Sequence, residues 1–447
     1  MSLLPRYLAP KAGPLVLLLV HVLLLVRGDL SRHLWWTLAL LASGFVALWW
    51  SIVPARATSY SASTVLGLAI VLRLLLLPLA PTLSDDVLRY MWDGKVVNAG
   101  ENPYRLAPEA AALAPLRDAD WQRMPHRDVE AVYPPVPLAL FSIAAATPAP
   151  LWAWKSLLVA CELLGCALLL RIAARLRIPP GRVALYAWNP LVTLEVAGMA
   201  HVDALGVTLV IATVWALMRG RLWAPAAAAG AVLAKMVPIV ALPIWARHAR
   251  RSTVFGLVSV GLVALILAPL VLAVGGPPPG WVRFGVSWEF NGPLYEPLWR
   301  GIAALELDGT IKLGLDRLKT WTDAHELWNR FYPWVYPQLM AKGLLGLLLL
   351  GLLWRVWRDR ELHVTTATGK TFAAILLCSA TVYPWYLLWM LPWAALAGQR
   401  AWLALSGLIL LSYLPQFSGV ELIPWLFVII WLPFAVLLWR YRSWSIG

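Results

Sequence analysis

This 447-residue chain is short of charge: Asp, Glu, Lys and Arg make up 13% of it, against 61% hydrophobic residues and a mean hydropathy of +0.71. Soluble domains carry about a quarter charged residues. The shortage excludes a soluble globular protein, a disordered chain and a collagen-like repeat, and leaves a polytopic membrane protein. Cysteine is scarce too. Cys161, Cys166 and Cys378 all stand in apolar runs, which argues for packing over a disulfide framework or a thiolate metal site. No glycine-rich phosphate loop follows a strand pattern, and no serine or cysteine nucleophile motif occurs, so nucleotide-sugar, kinase and hydrolase chemistry are set aside. The net charge of +14 would suit nucleic acid as a patch on a soluble domain. Here the basic residues punctuate the ends of apolar segments, and no nucleic-acid partner is expected.

What is present is a series of apolar runs, near residues 14–26, 34–52, 64–80, 151–173, 253–274, 336–354 and 424–439. Each is close to the length that crosses a hydrocarbon core of about 30 Å. Three further apolar stretches are interrupted: 183–218 at Glu195 and His201, 223–246 at Lys235 and Pro238, and 371–413 at Tyr383, Pro384 and Arg400. These read as runs of shorter helices whose polar breaks face protein or a cavity, because lipid cannot satisfy them. The fold expected is all-α, a polytopic transmembrane bundle of about 12–14 spans, several of them short or broken, in one domain over residues 1–447. Arg6 and Lys11 ahead of an apolar run imitate a signal peptide, yet no small-residue cleavage site precedes residues 28–32, so this segment reads as an uncleaved first helix.

With the N-terminus in the cytoplasm, about half of the Lys and Arg, from Arg6, Lys11 and Arg56 through Arg171–Arg182 and Arg247–Arg251 to Arg400, Arg440 and Arg442, fall on the inner side. Only Asp359 and Glu361 accompany them there. That is the positive-inside bias, and it places both termini in the cytoplasm. Two long segments, 82–150 and 275–335, then lie outside with mixed charge and many aromatics. Loops of such length in a compact protein are usually functional.

The first of them opens with Ser84-Asp85-Asp86-Val87-Leu88-Arg89-Tyr90-Met91-Trp92-Asp93 directly after an apolar helix. If Ser84 caps a helix there, Asp86, Arg89, Tyr90 and Asp93 fall at i, i+3, i+4 and i+7 and share a face. Adjacent carboxylates beside a fixed cation suit a general base, Asp86 or Asp85, next to an anion site at Arg89. Helix capping and i,i+4 pairing explain one aspartate and hardly two.

The run SDDVLRYMWDGKVVNAGENPY (residues 84–104), VYPPV (132–136), WNPLVTLEVAGMAHVDA (188–204), AKMVPIVALP (234–243), FNGPLYEPLW (290–299) and VYPWYLLWMLPW (382–393) resembles the bacterial membrane glycosyltransferases of the GT-C superfamily. It is most similar to those that use polyprenyl-phosphate mannose, and the likeness covers about residues 64–400. The resemblance implies a plasma-membrane enzyme with an acidic pair at the extracytoplasmic surface. One aspartate there deprotonates an acceptor hydroxyl, and a polyprenyl-phosphate sugar is the donor, transferred with inversion. On the D-x-x-x-Y spacing Asp86 is the first choice of base and Asp85 the second. The chain departs from many superfamily members in having two spans ahead of the one that leads into the acidic pair, and in lacking a large soluble C-terminal domain.

Other polar residues sit in apolar company. His201 and Asp203, with Glu195, are candidates for substrate contact or for a mutual structural lock; His-x-Asp is poor zinc spacing, so neither metal nor other cofactor is expected. Lys235, beside Pro238, suits a lipid phosphate or snorkels from a short helix. Arg73 either snorkels or pairs with Glu162 or Glu195. In the second loop Arg283 is a further phosphate candidate and Asn291 a sugar contact, as are Tyr90, Asp93, Tyr133, Tyr383, Trp385 and Tyr386, although many of the 28 tryptophans belong to interfacial belts. The acceptor is a glycan, glycolipid or protein in or at the bilayer. The competing class is a lipid-linked sugar flippase, which would also break its helices at depth. No repeated hydropathy pattern relates the two halves, and the densest chemistry lies in a surface loop. A third reading, a structural subunit of an envelope synthase, requires the acidic cluster to be incidental.

Overall fold

The computed structural model describes residues 9–52, 60–418 and 424–441. Arg6, Arg56 and Arg442, which enter the charge argument, lie outside the described residues. Among the described residues there is no β-strand, only isolated bridges from Phe290 and Asn291 to Thr381. The chain is an all-α, multi-pass membrane protein. Leu34–Ser51, Pro150–Arg175, Ser252–Val274 and Pro337–Arg358 are long and apolar enough to cross a bilayer unbroken. The other apolar helices are shorter, among them Ala62–Leu76, Ala224–Ala234, Val364–Cys378 and Trp425–Arg440.

The breaks fall where prolines and polar residues interrupt the sequence. Ala224–Ala234 ends at Lys235 and resumes through a 3₁₀ turn, Val237–Ala241, into Leu242–His248. After Val364–Cys378 the chain proceeds as a 3₁₀ segment Pro384–Trp389, then Leu391–Ala397 and Arg400–Leu408. The sharpest break separates Pro190–Gly198 from Asp203–Met218, which meet at 119°. Its first half starts on Pro190, with the Asn189 side chain accepting from Leu191 N at 3.0 Å. It then widens into a π turn over Leu194–Gly198, a form found mostly as local bulges at functional sites. Ala200 takes a left-handed φ of 65°, and its carbonyl accepts from Trp154 Nε1 at 3.0 Å.

Asp203–Met218, Ala224–Ala234 and Leu391–Ala397 are buried along most of their length, whereas Ser252–Val274 and Pro337–Arg358 bury few residues and turn apolar side chains to the lipid. The alanine-rich Ala224–Ala234 lets backbones approach closely at the centre. Between Ala62–Leu76 and Pro150–Arg175 lies a buried ion pair. Arg73 Nε meets Glu162 Oε2 at 2.7 Å and Nη2 meets Oε1 at 2.8 Å, a two-pronged geometry. Nη1 donates to the carbonyls of Ala69 and Ala187. Of the options open to Arg73, it takes Glu162.

Removing one partner of such a pair strands a charge and costs about 3–5 kcal/mol. Arg73→Met should therefore lower thermal unfolding in detergent markedly, and Arg73→Met/Glu162→Gln should recover most of the loss. Equal stability of wild type and Arg73→Met would show that the pair does not hold these helices together.

Candidate functional site

The acidic pair is set at a junction. Leu83 N donates to Met199 Sδ at 3.3 Å, tying the end of the third apolar helix to the π-turn segment. Ser84 Oγ accepts from Asp86 N at 3.3 Å, and the helix Asp86–Asn98 begins there. Asp85 occupies the N-cap position, but its side chain makes no capping hydrogen bond, so the capping explanation does not use it. Burial raises the Asp85 carboxyl above the usual range, Arg123 opposes this, and the neighbouring Asp86 charge adds to it. The helix lies directly on Pro135–Ala145: a Cβ on Gly94 would stand 2.3 Å from Phe141 O. Tyr90 stacks on Phe141 at 4.7 Å and meets Tyr133 edge-on at 5.0 Å, which fixes the rotation of the helix.

That rotation points Asp85, Asp86, Arg89 and Tyr90 into a cavity of about 640 Å³, within the range of small-molecule sites. Tyr133, Asp203, Lys235, Tyr383, Trp385 and Tyr386 line it too. Its rim carries His126, Trp281, Phe284 and Trp288 from the two long segments. The second segment is pinned to the break before Pro384: Phe290 N donates to Ala380 O at 3.0 Å, Val382 N to Phe290 O at 2.7 Å, and Thr381 Oγ1 to Trp288 O at 2.8 Å. Phe290, Tyr383 and Trp385 form a continuous stack, with centroids 4.7 and 4.6 Å apart. Aromatic faces beside carboxylates and cations make a wall suited to a sugar phosphate.

Each cation at the cavity has a carboxylate. Lys235 Nζ sits 2.6 Å from Asp203 Oδ1 and 4.3 Å from the centre of the Tyr386 ring. Trp389 Nε1 donates to the same Oδ1 at 2.5 Å. Gly206 makes room for that indole, since a Cβ there would fall 2.3 Å from Trp389. Arg89 Nε binds Asp93 Oδ1 at 2.8 Å and Nη1 donates to His126 O at 3.3 Å, which leaves the buried Nη2 without a partner. Behind Asp86 lies His201, fully buried, with Nδ1 3.6 Å from Asp86 Oδ2 and Nε2 3.2 Å from Glu195 Oε2.

Two family models match the chain: "Alpha-(1->6)-mannopyranosyltransferase, N-terminal domain" over residues 9–251 and "MptB C-terminal domain" over residues 336–442. The chain belongs to the alpha-(1->6)-mannopyranosyltransferase family. It is also 27% identical over 410 residues to Alpha-(1->6)-mannopyranosyltransferase A of Mycobacterium tuberculosis, covering 85% of this chain and 74% of that protein. No solved structure matches. The chain is accordingly a membrane glycosyltransferase of the mannosyltransferase class, with a sugar donor and a glycan acceptor.

Ten of the mannosyltransferase's residues singled out from sequence meet in one cavity, and four do not reach it. Asp93 sits one turn deeper than Arg89, where burial raises its carboxyl and the guanidinium opposes this; it orients the arginine and does not face the cavity. His201 is closed off behind Asp86 and Trp385. Arg283 is corrected as a phosphate contact. Its guanidinium is held on the surface by the Asp128 carboxylate and, at 3.0 Å, by the Asp128 carbonyl, and that contact draws the Asp128 carboxyl below its usual range. Asn291 is corrected likewise: with φ at 55°, it turns Oδ1 to accept from Trp431 Nε1 at 2.8 Å, away from the cavity. Sequence reasoning missed Trp389 and Tyr413, which hold Asp203 and Glu195 from distant parts of the chain, and His126 at the rim. Nothing local in the sequence points to them.

An exposed pair such as Arg283–Asp128 contributes at most about 1 kcal/mol. Arg283→Ala should leave donor KM within about threefold of wild type, measured by titrating lipid-linked donor against initial rate. A tenfold rise would return this arginine to the donor site.

Proposed function

We propose that the protein transfers mannose from a polyprenyl-phosphate donor to an acceptor hydroxyl with inversion, Asp86 acting as general base. The supporting observation is one cavity that gathers Asp86 and Asp85, the cations Lys235 and Arg89, and a wall of stacked aromatics. The donor phosphate takes up Lys235 Nζ, which leaves Asp203, and the spare Nη2 of Arg89. Asp86 receives the acceptor's proton while the acceptor oxygen bonds to the anomeric carbon. The bond from that carbon to the phosphate oxygen breaks, and its electron pair leaves with the phosphate, whose growing charge meets fixed cations. Tyr90, Tyr133, Tyr383, Trp385 and Tyr386 hold the sugar ring.

Inversion at a β-linked mannosyl phosphate yields an α bond, in keeping with the linkage in the name of the mycobacterial relative, and the (1->6) of that name supports a primary 6-hydroxyl as the acceptor. The charge bias of the short loops supports cytoplasmic termini and a cavity opening on the extracytoplasmic side. Segments 82–150 and 275–335 are then the two outer loop regions of one membrane domain.

The test is transfer from radiolabelled polyprenyl-phosphate mannose to a mannan acceptor by protein in nanodiscs. Loss of a general base removes about 10²–10⁴-fold of rate. Asp86→Asn should fall in that range, and Asp85→Asn, which perturbs the local field only, should fall less. Full turnover by Asp86→Asn removes the base assignment. Absence of transfer by wild type, together with movement of labelled lipid across reconstituted vesicles, replaces the enzyme reading with a flippase.

A further inference from the structure

We propose that His201, held in place by Glu195 and Trp385, is the positioning residue that steadies Asp86 and turns its free oxygen toward the acceptor. This rests on the reading of Asp86 as the base.

Both ring nitrogens of His201 face carboxylates, Nδ1 at 3.6 Å from Asp86 Oδ2 and Nε2 at 3.2 Å from Glu195 Oε2. A neutral imidazole would direct a lone pair at one of them; the doubly protonated ring presents an N–H to each. Neither contact is aligned as a hydrogen bond, so the attraction is that of charges held close together. Glu195 is itself fixed. Tyr413 OH lies 2.9 and 3.1 Å from its two oxygens, and His201 N donates to the Glu195 carbonyl at 3.0 Å. Trp385 stacks on the imidazole with centroids 3.9 Å apart and planes at 14°, a contact an indole makes well with a cation. His201 and Glu195 are fully buried, whereas the Asp86 side chain is 35% exposed. The charged pair is thus hidden, and only the carboxylate it steadies opens on the cavity.

One oxygen of Asp86 is engaged from two sides: Tyr90 OH donates to Oδ2 at 3.4 Å and the His201 ring stands 3.6 Å from it, so Oδ1 is the oxygen left to receive a proton. The other ionisable groups around Asp86 are Asp85 beside it, Tyr90 and Tyr133 on its own side, Tyr383 and Tyr386 opposite, and the Lys235–Asp203 pair, whose charges offset each other. Arg89, paired with Asp93, and Tyr413, on Glu195, complete the set. His201, its charge balanced by Glu195, is the group that stands 3.6 Å from Asp86 Oδ2.

The alkaline edge of the pH–rate profile reports this arrangement. The imidazolium must keep its proton to hold Asp86 from behind, so activity falls as pH rises and the ring deprotonates. Glu195→Gln is isosteric and keeps a partner for Tyr413. It should move the alkaline edge down by about one pH unit and lower kcat, with donor KM within about threefold of wild type. His201→Asn strands Glu195 as a buried charge, so His201→Asn/Glu195→Gln, which is neutral in that pair, carries the second arm. It should lower kcat by about 10- to 100-fold, again with little change in donor KM. An alkaline edge and kcat at wild-type values in Glu195→Gln, with kcat at the wild-type value in the double variant, overturn the proposal. Asp86→Asn in the same assay separates the two readings: if it is inactive while those variants behave as wild type, only the inference about His201 fails, and if it is fully active the base assignment itself fails.

Discussion

A bilayer supplies no partners for charge, so every ionised group this chain carries into its helical core has to bring its own. The structure depends on how completely each one does so. Arg73 and Glu162 are closed on each other, with the remaining guanidinium donors on backbone carbonyls. Lys155 is likewise spent on the carbonyls of Leu76 and Leu79. Nothing is left over at either place for a ligand. At the cavity the accounts stay open: Asp203 Oδ2 and Arg89 Nη2 have no partner, and Asp86 is part exposed. Arg73 and Glu162 are used up in holding helices together, whereas Asp203 and Arg89 each keep an atom free at the cavity.

The bent segment between Pro190 and Met218 is where these two kinds of charge are sorted. A straight helix would place Glu195, His201 and Asp203 at different heights along one rod and about its circumference. The π turn, the left-handed Ala200 and the 119° bend instead bring His201 behind Asp86 and set Asp203 on the cavity wall. The backbone polar groups freed by the bend are taken up by side chains of neighbouring helices, Trp154 on the Ala200 carbonyl among them, as membrane helices require wherever their hydrogen-bond ladder is broken.

Much of this was legible in the sequence, for identifiable reasons. Apolar runs of spanning length located the long helices to within a few residues, because length and hydropathy are local properties. The breaks at His201, Lys235 and Pro384 were visible as polar or proline interruptions, and Asp86, Arg89 and Tyr90 share a face because helix periodicity is local too. What the sequence did not yield depends on how distant helices are rotated against each other. Glu195 and Tyr413 are 218 residues apart, and Asp203 and Trp389 are 186 apart. Arg283 and Asn291 lie away from the cavity for the same reason. Their composition fits a sugar-phosphate site, but a surface aspartate and a tryptophan on another helix claim their polar groups first.

The pairing of Lys235 with Asp203 follows from the same constraint and bears on how a donor is chosen. An ammonium among packed helices without a counter-charge would be costly, and Asp203 supplies one. On the proposed reading a phosphate gains little from charge alone, because it exchanges one anion for another at Nζ. It has to supply what the carboxylate cannot, namely further acceptors for the unpartnered Arg89 Nη2 and a lipid chain and sugar that bury apolar and aromatic surface. Small anions then compete poorly, since they make the exchange without the burial. On that reading recognition rests on the lipid-linked sugar as a whole, since neither its phosphate nor its sugar alone supplies both the charge and the buried surface.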